Sequence, residues 1–476
     1  MNGHPATIYE QGEEPGGLCT AWQRRGFTFD GCLTRLAGVR PGKMLSHLWQ
    51  ALGVLQGASV FIPDVDRVYH AANGKKTLHL YADLPRLEEE LHRLAPEDRE
   101  TIQKLSQAVR SLVAFSEAME AYDTGGFLAK LRLFRRLRSY LNFVDVWERT
   151  SLRELRHRFQ NPFLGQSLVR DLGDSAFHFL LQLAWMAQRN AGLPAGGSRA
   201  LARSMEQRFL ALGGDIQYGQ RVESVLIENG RAVGIQLTGG EETRGDGVIS
   251  AADGHATLFD LLQGRTLDRD HEFAYRRWAT SPGTVQISLG LAFDLQDQPV
   301  EQTWELPRPM ILGDDRMGEL TFRHFTHDPG FAPPGRCVAH VRFDSDIRSW
   351  RSLRVNDEST YRDRKERIAQ AVIDLLEERL PGLRQGIEEI DVTTPVTTAD
   401  ATGNWNGATH GWLPAPGTSP FSGPKVLPQT LPGLRSFWLA GQWSSPGGGV
   451  ATVAQGGRRL IQRFCQEGKR PFQARR

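Results

Sequence analysis

Apolar residues recur at the three-to-four spacing of a helical face over 84–122, where Ile102, Leu105, Val109 and Leu112 form one stripe and Pro96 stands at a tolerated first-turn position. A second such pattern fills 127–143, FLAKLRLFRRLRSYLNF. Phe127, Leu131, Phe134, Leu137 and Leu141 share its apolar face, and Lys130, Arg132, Arg135, Arg136 and Arg138 border it without an acid among them. A face of this kind either lies in a membrane interface, where anionic lipid attracts the arginines, or is an ordinary amphipathic helix with a solvated cationic side. Ser198 is placed to cap a helix reaching Leu212, closed by Gly213-Gly214, and a charged helix over 360–380 stops at Pro381-Gly382.

Between these stretches the period shortens to that of strands. A strand over 6–10 leads into a glycine-rich turn at 12–17 and a second extended piece at 26–30. Segments 221–228 and 231–238 alternate on either side of Asn229-Gly230, a strong hairpin signal, and Gly239-Gly240 turns the chain again. The strand over 247–252, in GVISAAD, is so apolar that it reads as a buried strand of a larger sheet, and 270–350 is β-rich. The last unit is strand 437–440, the turn GQWSSPGGG, and a helix over 450–467 with Val450, Val453, Leu460, Ile461 and Phe464 on its apolar side. The alternation predicts a mixed α/β protein.

Composition narrows the function classes. The 57 basic and 55 acidic residues leave a net charge of +2, which excludes a nucleic-acid coat. Four cysteines (Cys19, Cys32, Cys337, Cys465) show neither a disulfide framework nor zinc-site spacing, so no metal is expected and a reducing cytoplasm is. No apolar run approaches the roughly 18 residues of a spanning helix. The scarcity of lysine beside arginine fits a GC-rich bacterial genome. Glycine is the outlier, at 50 of 476 residues, clustered at 12–17, 192–214, 230–254 and 441–457. Clustered glycine marks backbone brought close to a ligand or turned through positive φ.

In the last unit, three consecutive glycines strip Cβ atoms from a turn that opens a helix, whose unpaired N–H groups present partial positive charge. That suits a phosphate or the N1–C2=O edge of a flavin, where a plain sharp turn needs less glycine. At the other end, Glu10 closes a strand where dinucleotide folds carry the acid that binds a ribose, although no complete G-x-G-x-x-G occurs in the chain.

The stretch YEQGEEPGGLCTAWQRRGFTFDGC resembles the segment that follows that fingerprint in phytoene desaturase-like flavoproteins, of the FAD-dependent amine oxidase and carotenoid desaturase superfamily. GLPAGGSRAL, GGDIQYGQRVESVLIENGRAVGI, GVISAAD, TPVTTADATGNWNGATHGW and LAGQWSSPGGGVATVAQGGR are similar to their later segments, in the same order. The resemblance implies a Rossmann-like FAD-binding domain assembled from 1–80, 192–262 and 400–476, with a substrate and membrane-facing domain of sheet and helices from 81–191 and 263–399. It places Glu10 on the ribose, Gly16 and Gly17 near the cofactor, and the backbone of Val222 at the adenine. Gly441, Gln442, Gly448, Gly449 and Val450 would border the ribityl chain and flavin. Such proteins begin with a strand, the glycine fingerprint and a helix, roughly 25 to 30 residues, which this sequence does not contain. FAD affinity is therefore expected to be impaired and the sheet to lack its central strand.

The implied reaction moves a hydride between a carotenoid-like or other isoprenoid polyene and flavin N5, in desaturation, saturation or isomerisation. The partners are then an apolar small molecule and the inner face of a membrane, met peripherally through 127–143. A flavin oxidase of an amine or small polar metabolite, and a non-catalytic remnant unable to hold FAD, are the alternatives. Neither pattern nor resemblance names a catalytic base. His410, between Trp405 and Trp412, is the candidate, against a structural histidine; His324 and His327 are spaced too loosely, and Arg153 and Glu154 read as a surface pair.

Overall fold

The largest sheet has seven strands, drawn from two distant parts of the chain. Its order is Ile387–Thr393, Gly283–Leu291, Cys337–Ser345, Asp315–His324, Glu301–Leu312, Val65–His70, Thr77–Tyr81. All neighbours are antiparallel except Glu301–Leu312 beside Val65–His70, which run parallel with Thr303 opposite Tyr69. One face carries Ile287, Leu289, Phe322 and Val341, all packed under the helix Glu358–Arg379 through Ile368, Val372 and Leu376. The opposite face is buried but polar, with Gln286, Ser288, Arg323 and His340 on it. This is a computed structural model, describing residues 3–57, 59–124, 143–144, 146–170, 173–414, 427–444 and 449–473.

A helical layer covers the other end of the sheet. Asp83 accepts from the Arg86 N–H to cap Leu84–Leu94, and Ala95 breaks the run before a 3-10 turn at Pro96–Asp98 and the long helix Arg99–Thr124. The helical pattern over 84–122 is thus two helices, and Pro96 opens the second stretch as its first-turn position predicts, because the residue before a proline is driven out of helical geometry. Ile102, Leu105, Val109 and Leu112 are buried against Leu152–His157 and Ala176–Ala187, as their spacing predicts. Of the cationic segment 127–143, residues 127–142 lie outside the described residues.

Two short parallel pairs join distant segments. Thr7–Tyr9 pairs with Asp215–Gln217, and Val248–Ser250 with Phe437–Leu439. Each strand keeps one edge unpaired among the described residues. GVISAAD is therefore not inside a larger sheet, and Ile249 is 47% exposed where its apolarity predicts burial, as Ile8 is at 44%. Phe464 of the last helix sets its ring against Trp438 of the second pair and against His4, which precedes the first. The hairpin Val222–Glu228 with Arg231–Leu237 forms as expected, and Glu242–Arg244 adds a third strand that the sequence pattern did not predict. Positive φ at both Asn229 and Gly230 gives the tight turn its pairing needs.

Two local expectations change. The helix at 197–211 starts after Gly196, not at Ser198, whose hydroxyl donates to Asp30 instead. Glu154 pairs with Arg158 one turn on, while the Arg153 N–H donates to Asp174.

Candidate functional site

Glu10 ends its strand zipped to the segment beyond the partner strand. Its N–H donates to Gln217 O at 2.9 Å, Gln220 N–H donates to Glu10 O at 2.9 Å, and Gly219 N–H to Gly12 O at 3.1 Å. This brings Glu10 beside the entry to Val222, two of the expected adenosine-side positions, although 212 residues apart by their numbers. One carboxylate oxygen of Glu10 accepts the Gly12 N–H at 2.7 Å; the other accepts no hydrogen bond among the described residues. A carboxylate pinned at one oxygen and open at the other suits a vicinal diol. Replacing Glu10 with alanine is expected to weaken FAD about tenfold to a hundredfold, the worth of a hydrogen bond to a charged group, in a fluorescence titration.

Gly16 and Gly17 follow on a loop held against the helix Gly197–Ala211. Gly16 has φ +123°, and a Cβ there would lie 2.3 Å from Cys19 O and 3.2 Å from Ala202 Cβ. Gly17 has φ +55° and opens on space, with no heavy atom within 4 Å of its would-be Cβ. Glu14 fixes the loop by ion pairs to Arg199 at 2.8 Å and Arg203 at 3.5 Å.

The second group of expected residues lies at the end of Phe437–Leu439. Ala440 N–H donates to Ser250 O, and Gly441, at φ +98°, faces only Ala251 O at 3.6 Å. Gln442 Nε2 and Trp443 Nε1 both donate to Asn404 Oδ1, at 3.3 and 3.2 Å. Gly449 caps the helix Val450–Glu467 without a side-chain acceptor among the described residues, and a helix start of this kind suits an anionic or carbonyl edge. Gly448 lies outside the described residues. Val450 packs on Leu33, Leu36, Trp49 and Leu201, the cluster that also receives Cys19. The loop after Gly17 and the start of the last helix therefore share one apolar floor.

His410 stands next to this second group. Its N–H donates to Ser281 Oγ at 2.8 Å, its Nδ1 lies 2.9 Å from Thr409 Oγ1, and a Cβ at the adjoining Gly411 would come within 3.0 Å of Gln442 O. His324 and His327 are in the wall instead, both held below the ordinary imidazole value by burial, His327 at about 4.

Sequence reasoning missed Asp253 and Asp30. Asp253 accepts from Ala256 N–H and Trp405 N–H, both at 2.9 Å, and burial raises its carboxyl pKa. It anchors a cluster in which His255 stacks on Trp405 at 4.9 Å, and Trp412 meets Tyr275 and Trp443 edge-on at 4.9 and 5.1 Å. Trp412 belongs to the buried core of this cluster, whereas Trp405 is only partly buried. Asp30 accepts from Cys32 N–H, Leu33 N–H, Ser198 N–H and Ser198 Oγ, at 2.7 to 3.0 Å. An acid closing a hairpin before glycine is its only local signal.

The residues present fit an extended dinucleotide. A diol acceptor at Glu10, Gly17 with open space at its would-be Cβ among the described residues, and a helix start without a side-chain cap at Gly449 are the features that suit it. Comparison with known proteins agrees. The family model for flavin containing amine oxidoreductase matches residues 1–460. The chloroplastic prolycopene isomerase of Daucus carota is 25% identical over 96% of this chain and 75% of its own length. The lycopene-forming phytoene desaturase of Pseudescherichia vulneris is 25% identical over 95% of this chain and 92% of its own. In fold, the chain is similar to an oxidoreductase from Methanosarcina mazei, at a TM-score of 0.54 and 19% identity, with 97% of this chain and 94% of that one covered. The chain belongs to the flavin containing amine oxidoreductase family and is an FAD-dependent oxidoreductase.

Proposed function

We propose that the protein moves a hydride between a carotenoid-like or other isoprenoid polyene and FAD. The observation that carries this reading is the likeness to prolycopene isomerases and phytoene desaturases along nearly the whole chain. FAD supplies the hydride acceptor or donor at its N5. The protein's own residues supply position and a dry site. Glu10 would hold the ribose, Gly16 and Gly17 the near backbone, and Val222 the adenine. Gly441, Gln442, Gly448, Gly449 and Val450 would border the ribityl chain and ring. Segments 1–80, 192–262 and 400–476 form the cofactor part in this reading, and 81–191 with 263–399 the substrate part. The aromatic group at Tyr275, Trp405, Trp412 and Trp443 excludes water beside Gln442. The polar sheet face does not argue for a polar substrate, since Arg342 donates to Gln286, Gln286 to Ser288 and Arg323 to Glu301 within it.

Protein supplied with FAD and polyene-loaded liposomes is the test. A shift of the polyene absorption bands, or a changed isomer pattern on chromatography, is expected. Unchanged polyene together with peroxide release from an amine would replace this reading with an amine oxidase.

No helix among the described residues is long and apolar enough to cross a membrane. In this reading the cationic segment 127–143 binds anionic lipid at the inner face of a membrane, with the protein otherwise in the cytoplasm. Reversing Arg132, Arg135, Arg136 and Arg138 to glutamate is expected to cut co-sedimentation with anionic vesicles about a hundredfold or more, at about 1 kcal/mol per lost cation. Equal sedimentation of both proteins would remove this segment from the contact.

A further inference from the structure

The hairpin Ala21–Arg24 with Phe27–Asp30 sets two cysteines face to face. Its register places Ala21 opposite Asp30 and Gln23 opposite Thr28, whose side chains meet at 3.2 Å on one face. The pairing runs beyond the last ladder residues, since Gly31 N–H donates to Thr20 O at 2.9 Å. One place further, Cys19 stands opposite Cys32, on the face already shared by Ala21 and Asp30. By alternation this is a non-hydrogen-bonded position, where opposed Cα atoms are about 4.5 Å apart, within the span of a disulfide. Both thiols are free and partly buried, and Cys19 Sγ donates to Ser198 O at 3.8 Å.

We propose that Cys19 and Cys32 form a thiol–disulfide exchange site for small-molecule disulfides of the glutathione type. Cys19 attacks one sulfur of the small disulfide and releases the first thiol. Cys32 then attacks Cys19 Sγ in the mixed disulfide, forming the Cys19–Cys32 bond and releasing the second thiol. Each protein thiol gives up its proton to a leaving thiolate, so two protein thiols are oxidised and one disulfide is reduced to two thiols. The order follows from the environments. The neighbouring Cys32 thiol holds Cys19 below its ordinary value, whereas Cys19 and burial push Cys32 well up. Cys337 and Cys465 are each 1% exposed and act as internal controls. Cys19 N–H also closes the turn from Gly16 O, at 2.9 Å, so the exchange occurs on the loop assigned to the cofactor.

The test equilibrates the whole protein in reduced and oxidised glutathione mixtures, quenches with acid, alkylates and maps the peptides. A Cys19–Cys32 linked peptide that follows a two-electron dependence on the glutathione ratio is expected. Cys32→Ser is expected to accumulate glutathione on Cys19, and Cys19→Ser to remain unmodified. Full alkylation of both cysteines in every mixture would overturn the proposal, as would glutathione on Cys32 in the Cys19→Ser variant at the wild-type rate. The peptide map of the unsubstituted protein decides even if a variant does not fold, and it is independent of FAD content.

Discussion

Replacing Glu301 with glutamine is expected to destabilise the protein by about 3–5 kcal/mol, the cost of leaving a buried guanidinium without its carboxylate. Glu301 is 6% exposed and Arg323 3%. Arg323 Nε donates to Glu301 at 2.8 Å with Nη2 on the same oxygen, and Arg67 Nε stands 3.0 Å from the other oxygen. Asp66 faces Arg67 at 3.3 Å and pairs with Arg35, so three guanidinium groups share two carboxylates. Arg323 Nη1 also donates to Thr34 O at 2.8 Å. The cluster thereby welds the strands of the large sheet to the segment that follows the N-terminal hairpin, and glutamine leaves three cations facing Asp66 alone.

The same group sets an acid limit. Burial alone would raise the Glu301 carboxyl, but Arg323, then Arg67 and Arg35, overcome it and hold the pKa at about 2, against 4.5 for an ordinary glutamate. A folded-state value below the unfolded one stabilises fully above the unfolded value and is lost as pH falls toward the folded one. Chemical denaturation between pH 4.5 and 2 is therefore expected to show a stability loss of about 3 kcal/mol that the Glu301→Gln variant lacks. An equally steep acid loss in the variant would place the acid sensitivity elsewhere.

None of this cluster was legible in the sequence, and the reason is physical. Its members come from 34–35, 66–67, 301 and 323, and no periodicity marks a charge that is buried only because distant segments close over it. The last strand and helix were legible because their cause is local: a short apolar run, then an apolar stripe at helical spacing. Asn229-Gly230 was legible for the same reason. Ser198 misled because a hydroxyl near a helix start usually caps it. Here Asp30, 168 positions away, takes that hydroxyl, and Gly196 in left-handed geometry opens the helix. Val248–Ser250 misled in the opposite sense, since apolarity predicts a buried strand but says nothing about which neighbours are present. Ordered likeness to a known family placed the candidate cofactor residues, and the backbone bonds between 10–12 and 217–220 then showed how distant ones meet.

Gly16 and Gly17 give the sharpest separation between a loop needed for folding and one shaped for a ligand. At Gly16 an alanine Cβ would meet the Cys19 carbonyl oxygen at 2.3 Å, in a backbone conformation of φ +123° that side chains rarely adopt. Neither can relax cheaply, because the oxygen is backbone and Ala202 of the packed helix lies 3.2 Å away. Gly16→Ala is expected to lower stability by about 2–4 kcal/mol without FAD present. At Gly17 the added methyl meets no protein atom within 4 Å, so only the left-handed backbone cost of about 1 kcal/mol applies. If the cofactor passes over Gly17, the methyl enters its volume, and FAD affinity falls about tenfold or more while the apoprotein barely changes. Denaturant unfolding of the apoprotein and a flavin titration, run on both variants, check the two effects separately. A Gly17→Ala protein that binds FAD as tightly as the unsubstituted chain would mean that the space above Gly17 belongs to solvent, and the ribose at Glu10 would then have to lead the cofactor along another wall.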